Sequence, residues 1–359
     1  TPDDPKLIAG GTEVGFVSES NLLQAAGPVT NSRLSGDIDD ANAHLTRGEG
    51  LYRQHCVHCH GINGDGKGPT AAFLNPYPRD FTLGKFKFNS TSIGQPSTHD
   101  DIHQVLMNGI NGTAMPSFAL LDSGEIEALV EYVKYLSVRG QSERYLITMA
   151  TDLDFEEGES LEISPSAILG SPDDEGISAI VESWKTAKPA VAPEEPSVPL
   201  VVEDPASWND EKKEAAFASV ERGRKLYYTA KANCYSCHGN TQLGDGNLGL
   251  YDEWTKELYN WQSESDEDGS KKAEYMALGG LEPRIIRPRN LRIGQYRGGR
   301  RPLDIYWRIH NGIDGSGMPA ANGLTSEEIW DLVNFVLYLP YEQISQPSVD
   351  LPTLDRARD

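Results

Sequence analysis

An all-α fold of two small helical domains joined by a long acidic strap is what the sequence predicts, and three observations carry the prediction. First, the chain repeats itself: residues 101–136 match residues 304–339 at a constant shift of 203, without a gap and with 17 identities in 36 positions. A match of that length means two copies of one domain. Second, each copy closes on apolar residues at the i, i+3, i+4 spacing of a helix buried on one face. Third, the 65 residues between the copies, 141–205, hold fifteen acidic residues, three basic ones and seven prolines. That composition cannot fill a core and favours an extended path.

The elements follow in order. Residues 1–40 mix Gly, Ser, Asn and Asp with short apolar runs and keep no period, which reads as an extended arm. The first domain, 41–140, opens on a helix carrying Gly48, Leu51 and Tyr52. It closes on a helix from Glu125 to Leu136, where Ile126, Leu129, Val130, Val133 and Leu136 share a face behind Ser123 as N-cap. The second domain, 206–345, repeats both, with Gly223, Leu226 and Tyr227 in its opening helix and Ser326 to Leu339 as its closing one. Each glycine suits a close approach between the two helices. In the strap, 141–205, the runs Tyr145-Leu146-Ile147 and Ile177 to Trp184 are apolar enough to dock on a domain or form a short helix. Pro78-Arg79 matches Pro288-Arg289 at a shift of 210 and His60 matches His238 at 178, so the second copy carries about 32 extra residues, an insertion over about 250–283. Its Ser265-Asp266-Glu267-Asp268-Gly269-Ser270 run lacks the spaced ligands of a calcium loop and reads as a solvated turn. Residues 346–359 form a tail.

Charge and hydropathy exclude whole classes of function. With 54 acidic and 32 basic residues the net charge is −22, which rules out a chain-wide attraction to nucleic acid or anionic lipid. The strap alone carries −12 of it. No apolar run approaches the roughly eighteen residues of a membrane span. The polar start, Thr1-Pro2-Asp3-Asp4, lacks the charged and apolar regions of a signal peptide and reads as a mature N-terminus. Seven arginines between Arg284 and Arg301 stand out in so acidic a chain. They suit neutralising a bound carboxylate, docking an acidic partner or clamping the strap, against the plain alternative of a solvated face.

The four cysteines carry the chemistry. They fall in Cys56-Val57-His58-Cys59-His60 and Cys234-Tyr235-Ser236-Cys237-His238, two C-x-x-C-H sequences. Two thiols three apart lie on one side of a helical turn, where they can add to the vinyl groups of a haem, and the next residue sets an imidazole under the iron. A zinc site would want four ligands per domain. A thioredoxin-like motif would want alternating strands. Two covalently bound haem c groups are therefore expected, with His60 and His238 on the irons.

With these motifs the chain resembles the tandem, or diheme, class I cytochromes c. Leu51-Tyr52, Cys56 to His60, Gly64-Asp65-Gly66, Pro78-Arg79-Asp80 and Gly112-Thr113-Ala114-Met115-Pro116 carry the resemblance in the first copy. Leu226-Tyr227, Cys234 to His238, Gly244-Asp245-Gly246, Pro288-Arg289-Asn290 and Gly315-Ser316-Gly317-Met318-Pro319 carry it in the second. The resemblance implies two class I cytochrome c domains in which Met115 and Met318 are the distal iron ligands. A soft thioether also stabilises ferrous iron and raises its potential. Rival ligands His99, His103, Met107, Met276 and His310 do not recur at equivalent positions, and His55 and His58 read as exposed neighbours of the motif. Arg79 and Arg289 match family positions that hydrogen-bond a haem propionate. Pro69 matches the proline whose carbonyl fixes the proximal histidine, a role with no counterpart in the second copy, where Leu248 stands near that place.

The function implied is the passage of single electrons between a protein donor and a protein acceptor, free or as a subunit of a respiratory membrane complex. The alternative is a diheme peroxidase-type enzyme, which needs one iron able to open a coordination position, and the symmetric Met-Pro loops oppose it. An axial cysteine is opposed more strongly, since all four cysteines are spent on thioethers. Haem attachment of this kind implies a periplasmic or otherwise extracytoplasmic location.

Overall fold

The computed structural model describes residues 38–151, 168–171, 175–190, 193–202, 208–252 and 269–342. Nearly all of the expected arm, the middle of the strap, the middle of the insertion and the C-terminal tail lie outside the described residues. The chain divides into two compact units with the boundary between Pro189 and Ala190, the loop Ile110–Met115 being grouped with the second. Among the described residues the regular structure is helical, apart from one isolated antiparallel bridge between Tyr251 and Ile285.

The first unit holds α1 (Ile38–His55), the single turn α2 (Val57–His60), two 3-10 turns (Ala71–Phe73 and Phe81–Leu83), α3 (His99–Asn108), α4 (Ser123–Thr151) and α5 (Ile177–Lys185). Its core is the apolar stripe read from the sequence: Ile126, Leu129, Val130, Val133 and Leu136 are all buried on α4. The opening helix crosses that stripe at Gly48, where a methyl group would lie 2.3 Å from the Ala128 carbonyl oxygen. Only glycine allows the two backbones so close. Asp122, rather than Ser123, caps α4: its carboxylate accepts from the Glu125 backbone N–H (2.8 Å) while Glu125 accepts from the Asp122 N–H (3.1 Å).

The second unit holds α6 (Asp210–Tyr227), the turn α7 (Tyr235–His238), α8 (Ser270–Ala277), a 3-10 turn (Leu291–Ile293), α9 (Pro302–Asn311), α10 (Ser326–Tyr338) and a final 3-10 turn (Leu339–Tyr341). It repeats the design, with Ile329, Leu332, Val333, Val336 and Leu339 buried and Gly223 placed so that a methyl would sit 2.0 Å from the Asp331 carbonyl oxygen. Thr325 caps α10 with Glu328 at the position matching Asp122. The closing helices differ in length. Pro340 turns the second one into a 3-10 turn, whereas Ser137 stands at the matching place and α4 runs on to Thr151, eleven residues into the segment expected to be strap.

The described parts of the strap are anchored by a few apolar and hydrogen-bonding side chains. On the first unit, Trp184 of α5 is buried, donates its indole N–H to Gln141 Oε1 (2.7 Å) and meets Phe86 edge-on. On the second, Asn334 of α10 accepts from the Val201 N–H (2.9 Å) and donates to the Pro199 carbonyl (3.2 Å), and Trp330 donates to the Glu194 carbonyl (2.8 Å). Val201 is fully buried. Of the arginine run, Arg292 pairs with Glu342 and Arg301 with Asp304, both inside the second unit.

Candidate functional site

Each opening helix hands the chain to the C-x-x-C-H turn through a buried tyrosine. Tyr52 donates its hydroxyl to the Gly61 carbonyl and Tyr227 to the Gly239 carbonyl, each at 2.8 Å, which pins the residue after the histidine. The turn is held from inside by His60 N–H to the Cys56 carbonyl (2.9 Å) and His238 N–H to the Cys234 carbonyl (2.9 Å). The following loop folds back over it: Gly66 and Gly244 donate to the carbonyls of His60 and His238, and Gly68 and Gly246 to those of Cys59 and Cys237. These bonds align the loops at a shift of 178, which matches Gly66 with Gly244 rather than Gly64 with Gly244. Gln242 therefore stands where the first copy has Gly64, at a φ of +60°. Its side chain is buried, donates to the Tyr228 hydroxyl (2.6 Å) and accepts from Arg292 (2.7 Å), a network that holds the left-handed residue.

The two histidines have identical surroundings at one ring nitrogen. His60 Nδ1 lies 3.0 Å from the Arg79 carbonyl oxygen and His238 Nδ1 lies 3.0 Å from the Arg289 carbonyl oxygen. A carbonyl can only accept, so Nδ1 carries the proton and Nε2 keeps its lone pair, the tautomer a metal requires. This replaces the role expected of Pro69: the acceptor is the backbone of Arg79, and it recurs in both copies. A backbone carbonyl leaves no mark in the side-chain sequence, although the repeated Pro-Arg pair was its visible trace. Burial pushes the His60 imidazole down to about 4 and lowers that of His238, so both rings are neutral near pH 7. The Phe81 ring stacks on His60 at 4.5 Å, a place taken by Leu291 in the second copy. Burial raises the Cys56 thiol to about 12 and the Cys234 thiol to about 11. Such sulfurs suit bonding to an apolar group rather than exposure as thiolates.

The Met-Pro loops are built alike. The Ile110 N–H donates to the Met115 carbonyl and the Ile313 N–H to the Met318 carbonyl, each at 3.1 Å. Thr113 and Ser316 each donate a hydroxyl to the isoleucine carbonyl (2.8 Å) and accept from the methionine N–H (3.1 and 3.3 Å). Phe118 and Ala321 then tie the loop exit to Leu106 and Ile309. Two of the rival side chains, His99 and His310, are engaged elsewhere. His99 Nε2 contacts Glu127 Oε2 at 2.7 Å, and His310 Nδ1 contacts Asn311 Oδ1 at 2.7 Å and stacks on Tyr306. His58 is exposed.

Residues 43–133 match the family described as cytochrome c oxidase, cbb3-type, subunit III, and residues 220–340 match the family described as cytochrome c. The chain is a tandem class I cytochrome c. Among solved structures, it is similar to a chain of the reducing HAO-like protein complex of Kuenenia stuttgartiensis, at 23% identity over 82% of this chain and 95% of that one, with a TM-score of 0.49. No curated protein matches the sequence. A tandem cytochrome c of this kind carries electrons on two covalently bound c-type haems. The residues present fit such a group: paired thiols, a neutral imidazole whose Nε2 keeps its lone pair, and, in the second domain, Arg297 Nε and Trp307 Nε1, which are among the buried donors without a hydrogen-bond partner among the described residues. Burial and then the neighbouring Arg289 push the Arg297 guanidinium below its usual range, a cost that an anion such as a haem propionate would offset. Neither Arg297 nor Trp307 was singled out from sequence, where one is lost in the arginine run and the other is an ordinary helical tryptophan. The Arg289 side chain itself donates to Gln295, at 2.7 and 3.1 Å.

Proposed function

We propose that this cytochrome passes single electrons between a protein donor and a protein acceptor, with Cys56, Cys59, Cys234 and Cys237 as the thioether attachments, His60 and His238 as proximal ligands and Met115 and Met318 as distal ones. The observation that carries this reading is the shared construction of both domains, in which the histidine–carbonyl bond and the hydroxyl-locked Met-Pro loop recur atom for atom. Bound there, a haem supplies one-electron exchange between ferric and ferrous iron. The chain's own residues do the rest. The Arg79 and Arg289 carbonyls fix the tautomer and orientation of each imidazole, and the Thr113 and Ser316 hydroxyls hold the loops that present the methionines. Arg79 and Arg289 would hold propionates, Arg289 beside its bonds to Gln295, and Arg297 and Trp307 would add to them in the second domain.

Two sites closed by sulfur leave no coordination position for a substrate, which favours a carrier over a peroxidase-type enzyme. The location that goes with this reading is periplasmic or otherwise extracytoplasmic. The partners are redox proteins, including a respiratory membrane complex, and a net charge of −22 selects for basic docking faces. No described helix is long and apolar enough to cross a membrane.

An optical spectrum of the oxidised protein tests this, through the weak far-red band of ferric iron bound to methionine sulfur. Two equivalents are expected, with Met115→Leu and Met318→Leu each removing one and lowering the midpoint potential of one haem. One equivalent or none, with a high-spin signature, would put the peroxidase-type reading first.

A further inference from the structure

The insertion has no counterpart in the first domain, where 18 positions separate His60 from Pro78 against 50 between His238 and Pro288. Its base is closed by a short antiparallel ladder: Ile286 donates to the Leu250 carbonyl (2.7 Å), Asp252 donates to the Arg284 carbonyl (3.2 Å), and Tyr251 bridges Ile285. The ladder fixes the backbone of Leu250, whose side chain lies against Gly317, the residue before Met318. A methyl group at Gly317 would stand 2.8 Å from Leu250 Cδ1 and 3.0 Å from Cδ2. Gly317 does not lie in the left-handed region, so it is the neighbour's bulk and not a turn that makes glycine fit there. The first domain has the opposite pair of features, Ala114 at the matching position and no insertion. The side chain missing from one loop is replaced by a leucine brought from outside it.

We infer that the base of the insertion braces the Met318 loop, with Leu250 as a positioning residue that keeps Met318 from being displaced at the second iron by an external ligand. The inference rests on the reading of Met318 as distal ligand. A loop held only by its own hydrogen bonds can swing its methionine away at the cost of those bonds. A loop with a half-buried leucine seated on it must also break the contact between that leucine and the loop backbone. The two haems then differ in how easily their methionine yields, although the ligands are the same.

The test is an imidazole titration of the oxidised full-length holoprotein, following the far-red methionine band. Each phase is assigned to a haem by its absence from Met115→Leu or Met318→Leu. In the unaltered protein the Met318 phase is expected at the higher imidazole concentration. Leu250→Ala should move that phase about tenfold lower and leave the Met115 phase in place. Gly317→Ala keeps the leucine but pushes it off the loop, and should shift the same phase in the same direction. Because it alters only one methyl group, it serves if Leu250→Ala does not fold. Equal movement of both phases, or none in either variant, overturns the brace while leaving the ligands assigned. Absence of any methionine band at the second haem before substitution overturns the ligand reading and the brace together.

Discussion

At the residue scale, the two domains work by removing atoms as much as by placing them. Gly48 and Gly223 carry no chemistry, yet each lets an opening helix touch the backbone of its closing helix, and through Tyr52 and Tyr227 that contact fixes where the C-x-x-C-H turn begins. Gly223→Ala would force a methyl into backbone that cannot rotate away, unlike a side-chain tip, so the helices must separate. We expect a loss of about 1–3 kcal/mol, measured by denaturant unfolding of the holoprotein, with a matching loss for Gly48→Ala. Unchanged midpoints in both would mean that the helices have room to spare. The role of these glycines was legible from the Gly-x-x-Leu-Tyr spacing alone. The acceptor for the proximal imidazole was not, because it is the main chain of Arg79 and Arg289, and sequence displays side chains. Gln242 was hidden for a related reason: a left-handed residue reads as glycine until the Tyr228 and Arg292 bonds that support it are seen.

At the element scale, apolar periodicity identified both closing helices and placed Ile126, Leu129, Val130, Val133 and Leu136 on the buried face of the first, since burial is what selects those residues. It misjudged the C-terminal end of the first, while the second starts at Ser326 and gives way to its 3-10 turn at Leu339, as read. Residues 141–151 fell to the strap through the composition of 141–205 as a whole, although they hold one acidic residue and one basic one; a helix stops where a proline or a capping residue stops it, and Ser137 does neither where Pro340 does. The strap shows the same lesson in reverse. A composition of −12 over 65 residues describes most of its side chains, while its attachment depends on a few exceptions: Trp184 on one unit and Val201 on the other. Asn334 holds the second attachment, and it is buried with Ser219, which it donates to at 2.9 Å and which in turn donates to Asp331 at 2.6 Å. Asn334→Ala leaves the Val201 N–H and the Pro199 carbonyl without those bonds, a cost of about 1–3 kcal/mol. Residues 193–202 should then exchange their amide protons faster, by one to two orders of magnitude, while α6 and the α7 turn keep their protection. Hydrogen-exchange mass spectrometry decides between this local release and a general loosening of the second domain.

At the scale of the whole molecule, duplication was the most legible feature, because a constant shift over 36 positions survives any divergence of detail. What duplication does not determine is how a partner meets each copy, and here the charge is divided against itself. The chain as a whole carries −22, while the second domain concentrates seven arginines between Arg284 and Arg301. Part of that positive charge is spent internally, Arg292 on Glu342 and Arg301 on Asp304. Charge beyond a Debye length, about 10 Å at 0.1 M salt, is screened away, so the long-range field acts at low ionic strength and the arginines act mainly at contact. Small redox complexes of opposite charge separate the two. The second-order rate of oxidation of the reduced protein by a cationic metal complex should fall several-fold as salt rises from about 10 to about 200 mM, and the rate with an anionic complex should rise. Stopped-flow traces resolve the haems through the Met115→Leu and Met318→Leu variants. If the anionic complex reacts faster at low salt with the second haem, the arginine run sets the local field there, and that domain is the one that receives an acidic partner. If both haems prefer the cation, the net charge governs approach to the whole chain, and donor and acceptor alike must present basic faces.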